Sequence, residues 1–265
     1  MSSLSWQGEA NKYLASAYKN WVVSKRNNTF TLFELFFGPI IGLLSIGILT
    51  RFLQVGTDYI SFLLIGSISL TVLQVSLSDI AYVLLFDMWS KSIKNTFVAP
   101  IKSYHLIFGS LVFGVLRGTV AFTILALVSY YLFGFNFLQG GLIPVVVFLA
   151  GVFAVAAVIG IIVCISILTF GQKADVAAWG LSGVILLVSG IYYPVNVLPP
   201  AFQLLARAIP LTYFLEYYRS VYIPGQHNIL LGAALAVLYL AVGLLAFDMA
   251  IERARRTGIL LRLSE

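Results

Sequence analysis

The sequence predicts an all-α integral membrane protein with six transmembrane helices, and three observations carry that prediction. From Gly118 through Gln172 there is no Asp, Glu, Lys or Arg. That stretch is too long for one crossing and is interrupted midway by Gly134, Gly140, Gly141 and Pro144, so it reads as two helices and a tight turn. Apolar runs roughly twenty residues long, set off by short polar patches, recur along the rest of the chain. Over 265 residues, 60% are hydrophobic and 10% charged, with a mean hydropathy of +0.99, which excludes a soluble globular domain.

The first element precedes the spans. Trp6, Ala10, Leu14, Ala17, Tyr18 and Trp21 recur at three- and four-residue intervals, with Asn11, Lys12, Lys19 and Asn20 on other faces. This pattern predicts an amphipathic helix over residues 1–28 that lies on the inner interface as an anchor. Met1 to Asn28 holds no apolar core of the length a cleaved signal needs, so the segment is expected to persist.

Six candidate spans follow within one membrane domain, residues 29–265: about 30–49, 59–86, 104–133, 142–170, 176–193 and 229–247. The second, third and fourth exceed the roughly 20 residues a bilayer requires, and are expected to tilt or to project beyond the hydrocarbon. Six crossings put both termini on one side. That side holds Lys12, Lys19, Lys25, Arg26, Lys91, Lys94, Lys102, Lys173, Arg253, Arg255, Arg256 and Arg262, against Arg51, Arg207 and Arg219 opposite. A bias of twelve to three makes the termini cytoplasmic. The net charge of +6 therefore reads as orientation and contact with the lipid bilayer, and no nucleic-acid partner is expected.

Two connections stand out. On the inner side, residues 87–103 form the largest excursion between spans, and Ile93, Phe97 and Ile101 lie four apart as on one face of a short helix. On the outer side, residues 194–227 are long yet apolar and aromatic. Pro199 and Pro200 are expected to start a short helix through Ala208, Pro210 to stop it, and a second to run from Thr212 to Tyr222 before Pro224–Gly225. Two half-helices dipping into the outer leaflet fit this composition. Tyr192, Tyr193, Tyr213, Tyr217, Tyr218 and Tyr222 would then stand near the outer interface.

Catalytic apparatus is absent from the sequence. There is no Gly-x-x-x-x-Gly-Lys-Ser/Thr phosphate loop and no metal-binding spacing around His105 or His227, and the lone Cys164 reads as a buried thiol. The costly residues are the intramembrane charges Glu34, Asp79, Arg117 and Asp248. Glu34 and Asp248 lie within about a turn of the inner ends, where snorkelling accounts for them. Asp79 stands roughly 12 Å above Asp87 and Arg117 roughly 20 Å above Tyr104 on antiparallel neighbours, so the two are expected to pair. A coupling site for protons or ions in a secondary transporter would look similar.

The stretch Ser189-Gly-Ile-Tyr-Tyr-Pro194-Val-Asn-Val-Leu-Pro199-Pro200, followed by Ile209-Pro210-Leu-Thr-Tyr213-Phe-Leu-Glu216-Tyr-Tyr-Arg219, resembles the signature of ABC-2 type export permeases, the membrane subunits of ATP-binding-cassette exporters. The resemblance extends to the interface helix, six spans, inner loop and paired half-helices. It implies that Lys91, Ile93, Lys94, Phe97 and Pro100 form a coupling helix that docks on a separate ATPase. Family members commonly carry Gly-Thr-Leu-Glu there, so Lys94 replaces an acid. It implies an outer gate built from Pro194, Pro199, Pro200, Pro210, Tyr213, Glu216 and Arg219. For Glu216 and Arg219, a surface ion pair at i,i+3 is an equal expectation.

The resemblance also implies a homodimer in the plasma (inner) membrane, served by two cytoplasmic ATPase subunits that bind the ATP and Mg, with no cofactor and no enzymatic site in this chain. Pathway-facing candidates are Phe33, Phe37, Gln74, Ser78, Ser182 and Ser189. The scarcity of polar groups points to an amphiphilic drug, lipid or lipid-linked substrate. Polysaccharide export of the O-antigen type is the alternative, and a non-transporting scaffold is a reading of another class.

Overall fold

The computed structural model describes residues 12–22, 25, 36–54, 56–91, 103–171, 175–225 and 227–257. Among these residues the regular structure is entirely helical. In chain order, a helical segment at 12–22 precedes α1 (Gly38–Phe52), α2 (Thr57–Trp89), α3 (Ser103–Phe133), α4 (Leu142–Phe170) and α5 (Asp175–Val188). A 3₁₀ turn at Val195–Val197, the short helices α6 (Pro200–Ala208) and α7 (Pro210–Arg219), and α8 (Ile229–Thr257) complete it.

Among the described residues, α2, α3, α4 and α8 are long and apolar enough to cross a membrane, and α1 is a shorter apolar helix. The expected bounds hold to the residue for α4 and within three residues for α2 and α3. α1 runs on to Phe52, and the start of the expected first span lies outside the described residues. α8 continues ten residues beyond Phe247, carrying Arg253, Arg255 and Arg256 on a helix that Glu252 and Arg256 reinforce one turn apart.

α5 stops at Val188, five residues before the expected end. Gly190 adopts φ +73°, a conformation open to glycine, and turns the chain out of the helix. The half-helices also differ from expectation. Pro210 does not merely end the first; it opens the second, which stops at Arg219. Ile209, pushed by the following proline into an extended conformation (φ −91°, ψ 118°), is the hinge between them.

α4 is the centre of the bundle, with α2, α7 and α8 packed around it and α3 against α2. Leu64, Ile68, Leu73, Ile80 and Leu84 of α2 meet Phe148, Val152, Ala156 and Cys164 of α4 in one buried cluster. Lipid tails are as apolar as these side chains, so close packing decides which helices adhere. Gly160 admits Ile80, and Gly151 admits the ring of Phe214 from α7, where an added Cβ would lie 2.1 Å from the ring carbon Cγ. Replacing Gly151 with Leu is therefore expected to push α7 off α4 at a cost of about 1–3 kcal/mol, read as a lowered thermal midpoint of the protein in lipid nanodiscs.

Candidate functional site

At one end of the bundle, the second half-helix inserts Leu211, Phe214, Leu215 and Tyr218 into the core. Tyr218 stacks on Phe148 at 4.6 Å and donates to the Phe137 carbonyl at 2.6 Å. Tyr222 reaches the same carbonyl at 3.0 Å, so both tyrosines tie this end to the turn between α3 and α4. Tyr218 is wholly buried within the bundle. Thr212 donates to the Ala206 carbonyl at 2.9 Å and Tyr213 to that of Arg207 at 2.8 Å, which holds α6 and α7 as a hairpin.

Arg219 closes this assembly. Its Nη1 donates to the Gly190 carbonyl at 2.6 Å, and its Nη2 to the carbonyls of Ile191 at 2.6 Å and Phe62 at 3.1 Å. The guanidinium also lies over the Phe62 ring, 3.4 Å from the centroid. The carbonyls of Gly190 and Ile191 are free because α5 has just stopped and no further turn can satisfy them, and a cation there also complements the helix dipole. Gly66 of α2 makes the approach possible, since a Cβ at that position would sit 1.9 Å from the Ile191 carbonyl oxygen.

The expected surface ion pair between Arg219 and Glu216 does not form. Burial to 7% exposure turns the guanidinium toward three fixed acceptors instead. Glu216 faces a cavity of about 800 Å³ lined also by Tyr59, Phe62, Asn196 and Arg219. A second cavity of about 460 Å³ shares Asn196 and Glu216 with it and adds Gln203, Arg207 and His227. Burial pushes the Glu216 carboxyl above the usual carboxylate range, and Arg219, Arg207 and His227 pull it back.

Halfway along the bundle, Arg117 of α3 donates through Nη1 to Asp79 Oδ1 of α2, with side-chain exposures of 10% and 8%. Ser76 binds the Gly114 carbonyl at 3.1 Å one turn away on the same interface. The charges thus sit between helices, where an intramembrane pair costs least.

At the far end of α2, the N-terminal segment docks through the face opposite its apolar stripe. Lys19 Nζ lies 2.5 Å from Asp87 Oδ2, Asn20 donates to Ser110 at 3.2 Å, and Tyr13 packs edge-on against Phe108 at 5.0 Å. Leu14, Tyr18 and Trp21 remain exposed. α2 then ends, and Lys91 turns away with φ +55°.

A sequence model of the family described as ABC-2 type transporter matches residues 11–223. The chain belongs to that family. It is also similar to the inner membrane transport permease YadH of Escherichia coli (strain K12) and of Shigella flexneri, with 25% identity over 191 residues in each case. Those residues are 72% of this chain and 71% of each relative.

Of the residues singled out in this ABC-2 chain, the fold gathers Pro194, Glu216 and Arg219 around the larger cavity and Tyr213 and Glu216 around the smaller. Pro199, Pro200 and Pro210 shape the half-helix starts. Ser189 lines the larger cavity and Ser182 is buried. Phe37 is exposed, and Gln74 and Ser78 are half-buried. Asp248 is exposed near the end of α8. Ile93, Lys94, Phe97, Pro100, Phe33 and Glu34 lie outside the described residues. Among the described residues, no group of three or more His, Cys, Asp or Glu side chains is placed to hold a metal. Sequence reasoning missed Asn196, Arg207 and the contact of Gly66 with Arg219; the one available signal was a glycine within the bulky run of α2.

Two outcomes follow from this geometry. Arg219→Lys exchanges a planar fork, whose two terminal nitrogens reach separate carbonyls, for a single ammonium nitrogen that cannot occupy both positions, and is expected to lower stability by roughly 1–3 kcal/mol in thermal unfolding. Asp79→Asn, which leaves Arg117 without its counter-charge in the bundle, is expected to cost about 3–5 kcal/mol, whereas Asp79→Leu combined with Arg117→Leu restores most of the loss. Uptake assays of the double variant distinguish a structural pair from a coupling site, because only the latter loses transport together with the charges.

Proposed function

We propose that this chain is the transmembrane permease subunit of an ATP-driven exporter for an amphiphilic drug, lipid or lipid-linked molecule. Two copies form the pathway in the inner membrane. Two cytoplasmic ATPase subunits supply the hydrolysis and hold the ATP and Mg. In this reading α1 and α5 cross the membrane with the four long helices, both termini are cytoplasmic, and the half-helices form the outer gate. Membership of the ABC-2 family and the likeness to the inner membrane transport permease YadH support it.

The observation that carries the mechanism is the reach of α2. At 33 residues it is about 50 Å long. One end passes Asp87 and enters the loop holding Lys91, Ile93, Lys94, Phe97 and Pro100. The other end supplies Phe62 and Gly66 to the Arg219 cluster. A push on the docked loop therefore reaches the half-helices through one continuous helix, without a relay of loops. Coupling energy must enter this way, because the chain has no phosphate loop of its own.

Lys94→Glu and Phe97→Ala are expected to abolish most substrate-stimulated ATP hydrolysis when the chain is reconstituted with its ATPase, and to weaken the complex in co-purification. Unchanged activity and unchanged complex formation in both variants would show that this loop is not the docking element.

A further inference from the structure

The two cavities at the half-helix end share a wall formed by Val195, Asn196, Thr212 and Glu216. The polar groups on that wall differ in what they have left to offer. Arg219, although it lines the larger cavity, has turned Nη1 and Nη2 to three carbonyls and keeps only a buried Nε without a partner among the described residues. Gln203 uses its amide on the carbonyls of Asn196 and Leu198. The Glu216 carboxylate accepts no hydrogen bond from a described side chain, and the exposed Asn196 and Arg207 are engaged through their backbone carbonyls, which leaves the Asn196 amide and the Arg207 guanidinium open to the cavity.

Those three groups define a ligand by its hydrogen bonds. Glu216 accepts only, Arg207 donates only, and the Asn196 amide does both. A phosphate offers acceptors and leaves the carboxylate facing another anion. A quaternary ammonium offers no donor and sets a second cation beside Arg207. Adjacent hydroxyl groups satisfy all three positions, because each hydroxyl donates once and accepts as well. Around the larger cavity Tyr59, Phe62, Val195 and Ile223 suit the carbon face of such a group, and Ser189, Thr212 and Ser220 add hydroxyls beside them. Volumes of about 800 and 460 Å³ are those of small-molecule sites.

We propose that these cavities bind the uncharged, polyhydroxylated headgroup of an amphiphile, with Glu216, Asn196 and Arg207 as its hydrogen-bonding partners. The assignment rests on the reading of the chain as a permease for amphiphiles and narrows it to one headgroup chemistry. Hydroxyls would exchange water for this wall as the headgroup arrives, while its tail remains in the lipid beside the bundle.

The test uses the full chain in lipid nanodiscs without ATPase, and octyl β-glucoside carrying a photoactivatable diazirine in its alkyl chain, below the micellar concentration. Crosslinks are expected within residues 189–196 and 210–225, competed by plain octyl β-glucoside and not by octyl phosphate or octyltrimethylammonium. Glu216→Ala and Asn196→Ala should each reduce that labelling on the order of fivefold or more. The Asn196 variant lies in a 3₁₀ turn outside the packed helices, and an unchanged thermal midpoint would show that its loss of labelling is local. Competition by the phosphate or the ammonium instead, or full labelling in both variants, overturns the proposal. Because binding is read without the ATPase, a failure of the Lys94 and Phe97 coupling experiment leaves this result intact, and the two readings fall separately.

Discussion

A helix that ends inside an apolar bundle leaves carbonyl oxygens that neither lipid nor a further turn can satisfy; after α5 the Tyr193 hydroxyl takes that of Leu187 and the Arg219 guanidinium those of Gly190 and Ile191. Arg219 joins the open end of α5 to the first turns of α2, and it does so from the last turn of α7. The half-helix hairpin is held by this cluster on one side and by Tyr218 and Tyr222 on the other. The cavities open beside Glu216, on the helix that these two anchors hold.

The same economy of polar contacts governs the rest of the bundle. The interface of α2 with α3 carries the pair of Asp79 with Arg117 and the bond from Ser76 to the Gly114 carbonyl, each between facing helices. The N-terminal segment applies its polar side chains to the end of α2 and the start of α3, and turns its apolar side chains outward. That arrangement inverts the habit of an amphipathic helix in a soluble protein, which turns its apolar face to the core. Lys19 on Asp87 thus ties this segment to the last turn of α2.

Legibility in the sequence followed the strength of the solvent constraint. α4, free of charge over its whole length, was bounded to the residue, because hydrocarbon penalises any polar interruption. α5 was read too long, since its end depends on Gly190 turning and on Arg219 arriving from nearly thirty residues away, and neither is visible in a run of apolar residues. The starts at Pro200 and Pro210 were legible as prolines, but the part played by Ile209 was not, because its extended backbone comes from the residue that follows it. Glu216 and Arg219 illustrate the limit most clearly. Their spacing permits an ion pair on one helix face, and no local rule discloses that three carbonyls from elsewhere bind the guanidinium instead.

The sequence by itself determined that this protein lives in a membrane, where its long helices run, and which charges must find partners, because transfer of polar groups into hydrocarbon is costly enough to leave its mark residue by residue. Only the tertiary structure decided which partners they found. A carbonyl freed at the end of α5 and a guanidinium on α7 are remote in the chain, and their meeting depends on how Gly66, Gly151 and the aromatic rings let the helices approach.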